Sequence, residues 1–100
     1  MIDLEAHKRN LHLLLLEDPN SEVPVKCMTR MDKGKSSYER PGFVDNRNYL
    51  DETADEILDG INYIAMEYTK LQSVGDLRRF RLTQACMKLR QAYSLLRDAR

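Results

Sequence analysis

A group of basic side chains with a tyrosine among them, in the first half of the chain, has the chemistry needed to hold an anion. The group consists of Lys26, Arg30, Lys33, Lys35, Tyr38 and Arg40. Lysine and arginine neutralise phosphate, and a guanidinium binds it through two hydrogen bonds. A tyrosine face between them offers a surface on which a nucleotide base can stack. These residue types predict a binding site for a nucleotide or another anionic ligand.

A second basic cluster, Arg78, Arg79 and Arg81, stands close after a short turn signal and adds to the predicted ligand site. The chain as a whole has 16 Lys+Arg and 16 Asp+Glu, so its formal net charge is zero. Long-range attraction of a nucleic acid is weak at zero net charge. The partner is therefore expected to be a small anion or a protein rather than DNA or RNA.

Four carboxylates form the third group with potential chemistry. They are Glu52, Asp55, Glu56 and Asp59. Their spacing of i, i+3, i+4 and i+7 places them on one face of a helix, and carboxylate oxygens are the ligands that Mg²⁺ prefers. The alternative is a solvated acidic face, because these side chains lie opposite the apolar positions of the same segment.

The elements that must position these groups are helical in the first part of the chain. A helix is expected over residues 1–17, with Asp3 as its N-cap and Asp18-Pro19-Asn20 as its end. From residue 18 to residue 47 no periodicity is visible, and prolines and glycines recur. This stretch is expected to form a long basic loop, with a short strand over Val23–Met28.

Two long helices are expected over residues 48–72 and 76–99, because apolar residues recur there at helical spacing. The first stripe consists of Leu50, Ala54, Ile57, Leu58, Ile61, Ile64, Ala65, Tyr68 and Leu71. The second consists of Leu77, Ala85, Leu89, Ala92, Leu96 and Ala99. The segment that connects the two predicted helices is short, which predicts that they form an antiparallel hairpin. One flank of each stripe stays uncovered in a hairpin, so we expect an oligomer.

The segment Asp55–Ala65 resembles the Glu-x-x-Asp helix of the all-α MazG-like nucleoside triphosphate pyrophosphohydrolases. This resemblance implies that Glu56 and Asp59, with Glu52 and Asp55 beside them, bind Mg²⁺ and that the protein releases pyrophosphate. The chain departs from that family upstream. The family's Glu-Glu-x-x-Glu helix is missing, because the adjacent acids Glu17-Asp18 are followed directly by Pro19.

The run Leu89-Arg90-Gln91-Ala92-Tyr93, within residues 55–99, resembles the C-terminal hairpin of the phage cyclic-nucleotide sponges that counter CBASS and Thoeris immunity. The resemblance implies a small helical oligomer without catalytic activity. Such an oligomer binds signalling nucleotides between its protomers and removes them from circulation.

Taken together, the sequence predicts a single all-α domain over residues 1–100. The longest apolar run, Leu13–Leu16, is too short to cross a bilayer, which needs about 20 residues. We expect a cytoplasmic protein, inside the host cell if phage-encoded, that needs no cofactor. Its predicted function is non-enzymatic sequestration of an anionic, cyclic nucleotide by a phage anti-defence protein. The alternatives are a Mg²⁺-dependent pyrophosphohydrolase and a protein-directed inhibitor or adaptor without a small ligand.

Overall fold

The computed structural model describes residues 3–34, 46–71 and 76–99. In these residues all regular structure is helical, in four helices and without a strand, which confirms the all-α prediction. The helices are α1 (Leu4–Leu15), α2 (Glu22–Lys33), α3 (Tyr49–Lys70) and α4 (Leu77–Asp98). The chain forms two compact units, Met1–Asn46 and Arg47–Arg100. The first unit holds α1 and α2, and the second holds α3 and α4.

Helix α1 begins where the sequence predicts. The carboxylate of Asp3 accepts hydrogen bonds from the backbone N–H groups of Glu5 and Ala6, both at 3.1 Å. These bonds satisfy two of the donors that have no partner inside the helix. The helix ends at Leu16, a C-cap in the left-handed region with φ of 54°.

Helix α2 corrects the prediction of an irregular loop over residues 18–47 and of a strand over Val23–Met28. Pro24 is the third residue of this helix, and the first backbone bond of the helix runs from Val25 N to Ser21 O, at 3.1 Å. A proline before that bond removes no hydrogen bond, so it does not break the helix. Residues 35–45 of the predicted loop lie outside the described residues.

The spacing of its apolar residues explains why α2 forms. Pro24 is buried, and Cys27, Met28 and Met31 are half-buried. These four positions are spaced i, i+3, i+4 and i+7, the stripe of an amphipathic helix. In the first unit, α2 packs against α1.

Helices α3 and α4 occupy the segments predicted as 48–72 and 76–99. Asn48 caps α3 by accepting a hydrogen bond from Asp51 N at 3.2 Å, and Asp76 caps α4 by accepting one from Arg78 N at 2.9 Å. The two helices pack against each other. Ala54, only 5% exposed, is the one buried residue in α3 and α4.

Gly60 is a position where α3 can be made more stable. A methyl group built on it would lie 3.7 Å from Cδ1 of Leu89 in α4, an ordinary van der Waals distance. Glycine inside a helix costs about 1 kcal/mol relative to alanine. Gly60→Ala is therefore expected to raise the free energy of unfolding by up to ~1 kcal/mol, or roughly 4–8 °C in Tm. Thermal unfolding followed by circular dichroism measures this, and a lower Tm would contradict it.

Candidate functional site

Only three of the six residues in the first predicted anion-binding group lie in the described part of the chain. Lys26, Arg30 and Lys33 lie on α2, and all three are exposed. Their spacing of i, i+4 and i+7 places them on one helix face. Lys26 Nζ lies 2.7 Å from Glu22 Oε1 in an exposed ion pair. The other members of the group, Lys35, Tyr38 and Arg40, lie outside the described residues.

The second predicted cluster belongs to the other unit, in the first turns of α4, and its three arginines do not form one fork. Arg78 binds the carboxylate of Asp76, with Nη2 2.7 Å from Oδ2. The guanidinium of Arg79 lies over the ring of Tyr68 in α3, 4.2 Å from its centroid, and its buried Nε has no hydrogen-bond partner. Arg81 is exposed. Arg78 is thus paired with the cap of its own helix, and Arg79 joins α4 to α3.

Arg78 also sets the charge state of the α4 cap. Hydrogen bonds from the side chain and then the backbone of Arg78 lower the pKa of the Asp76 carboxyl below its ordinary value. The same pair raises the pKa of the Arg78 guanidinium. A carboxyl whose pKa is lower in the folded state stabilises the fold above its ordinary pKa. That contribution is lost as the pH falls through the folded-state pKa, below about pH 4.

Replacing Asp76 with asparagine tests the contribution of its charge to stability apart from its role as the N-cap of α4. Asparagine caps a helix about as well as aspartate, so Asp76→Asn removes the ion pair to Arg78 and keeps the cap. The variant is expected to melt at a lower temperature than the wild type at pH 7, and the gap in Tm is expected to be smaller at pH 3, because protonation of Asp76 begins to remove the ion pair. Thermal unfolding of both proteins at the two pH values measures the difference. An equal gap in Tm at both values would contradict the assigned role of the charge.

The carboxylates predicted for Mg²⁺ lie on α3 but do not assemble into a metal site. Both oxygens of Glu52 accept hydrogen bonds from the guanidinium of Arg47, one of them at 2.9 Å from Arg47 Nε. Asp55 and Glu56 line an open hollow of about 440 Å³ beside these residues. Asp59 is exposed. Over the described ranges, no three His, Cys, Asp or Glu side chains are arranged to hold a metal ion.

The structure reveals an apolar surface that the sequence reasoning missed. Leu13, Leu14 and Leu16, at the end of α1, are 66%, 80% and 87% exposed, and we call them the leucine surface. The signal was present in the run of four leucines. A helix buries about three or four residues in every two turns, so consecutive leucines point around the helix and some must face outward.

Comparisons with family models, with curated proteins and with solved structures found no match for this chain. Among the helices within residues 3–34, 46–71 and 76–99, none has the length and apolar character needed to cross a membrane.

Proposed function

We propose that the chain is a small non-enzymatic binding protein that contacts another protein through exposed apolar helix surfaces, with α3 and α4 arranged as an antiparallel hairpin. One observation carries this proposal. In the described residues Pro24 and Ala54 are the two buried residues, whereas sixteen large hydrophobic side chains are more than a third exposed. Burial of one such side chain contributes about 1.5–3 kcal/mol. A second protein that covers these side chains would therefore gain a large hydrophobic free energy of binding.

The leucine surface is the part of the first unit best suited to such a contact. Its three residues lie close together in sequence at the end of α1, and their side chains are between 66% and 87% exposed. Contiguous exposed apolar groups on a small protein mark an interaction surface, whereas single ones need no explanation. A binding partner that removes these leucines from water gains the hydrophobic free energy that the isolated unit does not use.

Loss of the leucine surface is expected to abolish partner binding. Affinity capture from a lysate of the cells that naturally contain the protein, followed by quantitative mass spectrometry, compares the wild type with Leu14→Glu. Truncation of an interface hot spot costs about 2 kcal/mol or more. The variant should therefore retain less than about a tenth of the wild-type partner.

Asn10→Glu is the matched control, because it adds the same charge to an exposed position of the same helix. It should capture the partner as the wild type does. Equal capture by the wild type and Leu14→Glu would contradict the proposal.

Capture of an anionic nucleotide is the second candidate function, and the shared exposed face of Lys26, Arg30 and Lys33 favours it. In that case the chain would act as an anti-defence sponge of the kind that residues 55–99 resemble. A thermal-shift screen with linear and cyclic nucleotides tests it. A ligand at 100 times its Kd adds about 2.7 kcal/mol to the free energy of unfolding.

The nucleotide screen also separates sequestration from hydrolysis. A nucleotide that stabilises the wild type, fails to stabilise Lys33→Ala and is recovered intact supports sequestration. Hydrolysis that requires Mg²⁺ and stops in Glu56→Gln would instead support the pyrophosphohydrolase alternative. If no nucleotide changes the Tm, both nucleotide functions are rejected.

A further inference from the structure

The outward side of α4 has a continuous strip without charge. Five exposed residues spaced i, i+4, i+7, i+11 and i+15 form this strip. They are Phe80, Gln84, Met87, Gln91 and Leu95. At about 100° per residue these positions share one face, opposite the half-buried residues that point to α3. Phe80 and Leu95 are 60% and 71% exposed. We call this set the outer α4 strip.

Basic residues border the outer α4 strip on both sides. At helical spacing Arg81 and Lys88 lie along one edge, and Arg90 and Arg97 lie along the other. All four are exposed. An apolar centre between two charged edges is the pattern by which paired helices select their partners. The outer α4 strip therefore fits a helix with apolar and acidic residues on one face.

Helix α3 has such a face on its own outward side. Glu52, Glu56, Asp59, Tyr63 and Met66 are spaced i, i+4, i+7, i+11 and i+14. We call this set the outer α3 strip. Tyr63 and Met66 are 69% and 60% exposed, although they stand on the polar side of an amphipathic helix. The strip thus joins three carboxylates, of which Glu52 already pairs with Arg47, to two large apolar side chains on one outward face.

We infer that the outer α4 strip of one copy docks on the outer α3 strip of a second copy. Charge complementarity selects this pairing. The segment 48–75 has 6 acidic side chains and 1 basic side chain, so its net charge is −5. The segment 76–100 has 2 acidic and 7 basic side chains, so its net charge is +5. Pairing α4 with α4 would oppose basic edges, and pairing α3 with α3 would oppose carboxylates. Only the mixed pairing places opposite charges together.

The two strips face away from each other within one chain, so their contact is head-to-tail between copies. Such a contact uses two different patches and repeats from one copy to the next, giving a ring if the rotation closes and a chain of copies if it does not. This assembly does not depend on the leucine surface. It goes beyond the proposed binding of a partner and can fail or succeed separately from it.

A charge-swap experiment on the full-length protein tests the pairing. One variant carries Arg81→Glu and Lys88→Glu, and the other carries Glu56→Lys and Asp59→Lys. Each variant alone opposes like charges across the contact, whereas their mixture brings opposite charges together in both possible pairings. Multi-angle light scattering is expected to give at least twice the single-chain mass for the wild type and for the mixture, and the single-chain mass for each variant alone.

The matched control carries Arg30→Glu and Lys33→Glu on α2, the same charge change at exposed positions outside both strips. It should assemble like the wild type. Circular dichroism shows whether each variant stays folded, and Met87→Ser, which leaves every charge in place, should also weaken the assembly. A single-chain mass for the wild type, or a mixture that remains at the single-chain mass, overturns the inference. Leu14→Glu should leave the assembly unchanged, which separates this result from the test of partner binding.

Discussion

Replacing Ala54 with glutamate is expected to unfold the α3–α4 pair. Ala54 is 5% exposed, so the new side chain meets packed neighbours where little space remains. Leaving a buried charge without a partner costs about 3–5 kcal/mol. Small domains have a total stability of about 0.05–0.15 kcal/mol per residue, which for Arg47–Arg100 amounts to roughly 3–8 kcal/mol. One substitution therefore removes most of the stability of this unit.

The same substitution at Ala65 provides the control. Ala65 lies on α3 as well, but it is exposed, so a glutamate there keeps its hydration. Urea unfolding followed by circular dichroism should give a stability within about 0.5 kcal/mol of the wild type for Ala65→Glu. For Ala54→Glu the α3–α4 transition should be lost or moved far towards zero urea. Similar curves for both variants would show that Ala54 is not at the packed contact.

Pro24→Asp is expected to disrupt the first unit. Pro24 is less than 2% exposed and is the largest fully buried side chain in the described residues. Aspartate is favourable in the first turn of an exposed helix, because the helix dipole attracts its charge by about 0.3–1 kcal/mol. Desolvation of an unpaired carboxylate costs more than this gain. We expect a net loss of about 2–4 kcal/mol, as for other severe changes in a core.

Hydrogen exchange of the backbone amides in α1 and α2 measures this loss. Protection should fall in both helices of Pro24→Asp, because α1 and α2 stabilise each other by packing. Val25→Asp is the control one position later, where the native side chain is exposed. It should retain most of the protection. Equal protection in the wild type and Pro24→Asp would show that the two helices do not depend on this contact.

Helices α3 and α4 could be predicted because their signals are local and long. Each has an apolar stripe over several turns and a capping residue, Asn48 or Asp76, directly before it. Helix α2 could not be predicted in the same way, because its apolar stripe covers only two turns and Pro24 stands in a segment whose prolines and glycines favour a loop. The position of Pro24 within the first turn, counted from Ser21, decides the outcome, and one turn later the same proline would interrupt the helix.

The candidate site was less predictable, because the side chain that each charged residue contacts can lie far away in the sequence. The residue types of Arg78 and Arg79 indicate phosphate binding. In the structure Arg79 lies over the ring of Tyr68 in α3, and Arg78 binds Asp76. The contact with Tyr68 joins two helices, so the spacing of residues within α4 does not predict it. Similarly, the carboxylate pattern on α3 suggests a metal site, yet Glu52 binds Arg47, which precedes the helix.

Leu16 links stability and binding in opposite directions. A left-handed backbone costs a residue other than glycine about 1–2 kcal/mol, yet here it belongs to the most exposed leucine of the leucine surface. Leu16→Gly should therefore raise the Tm of the first unit and weaken partner binding in the same molecule. At position 16 a variant selected for thermal stability alone would lose part of the proposed binding surface. Screens that use solubility or melting temperature as their only criterion should leave this position unchanged.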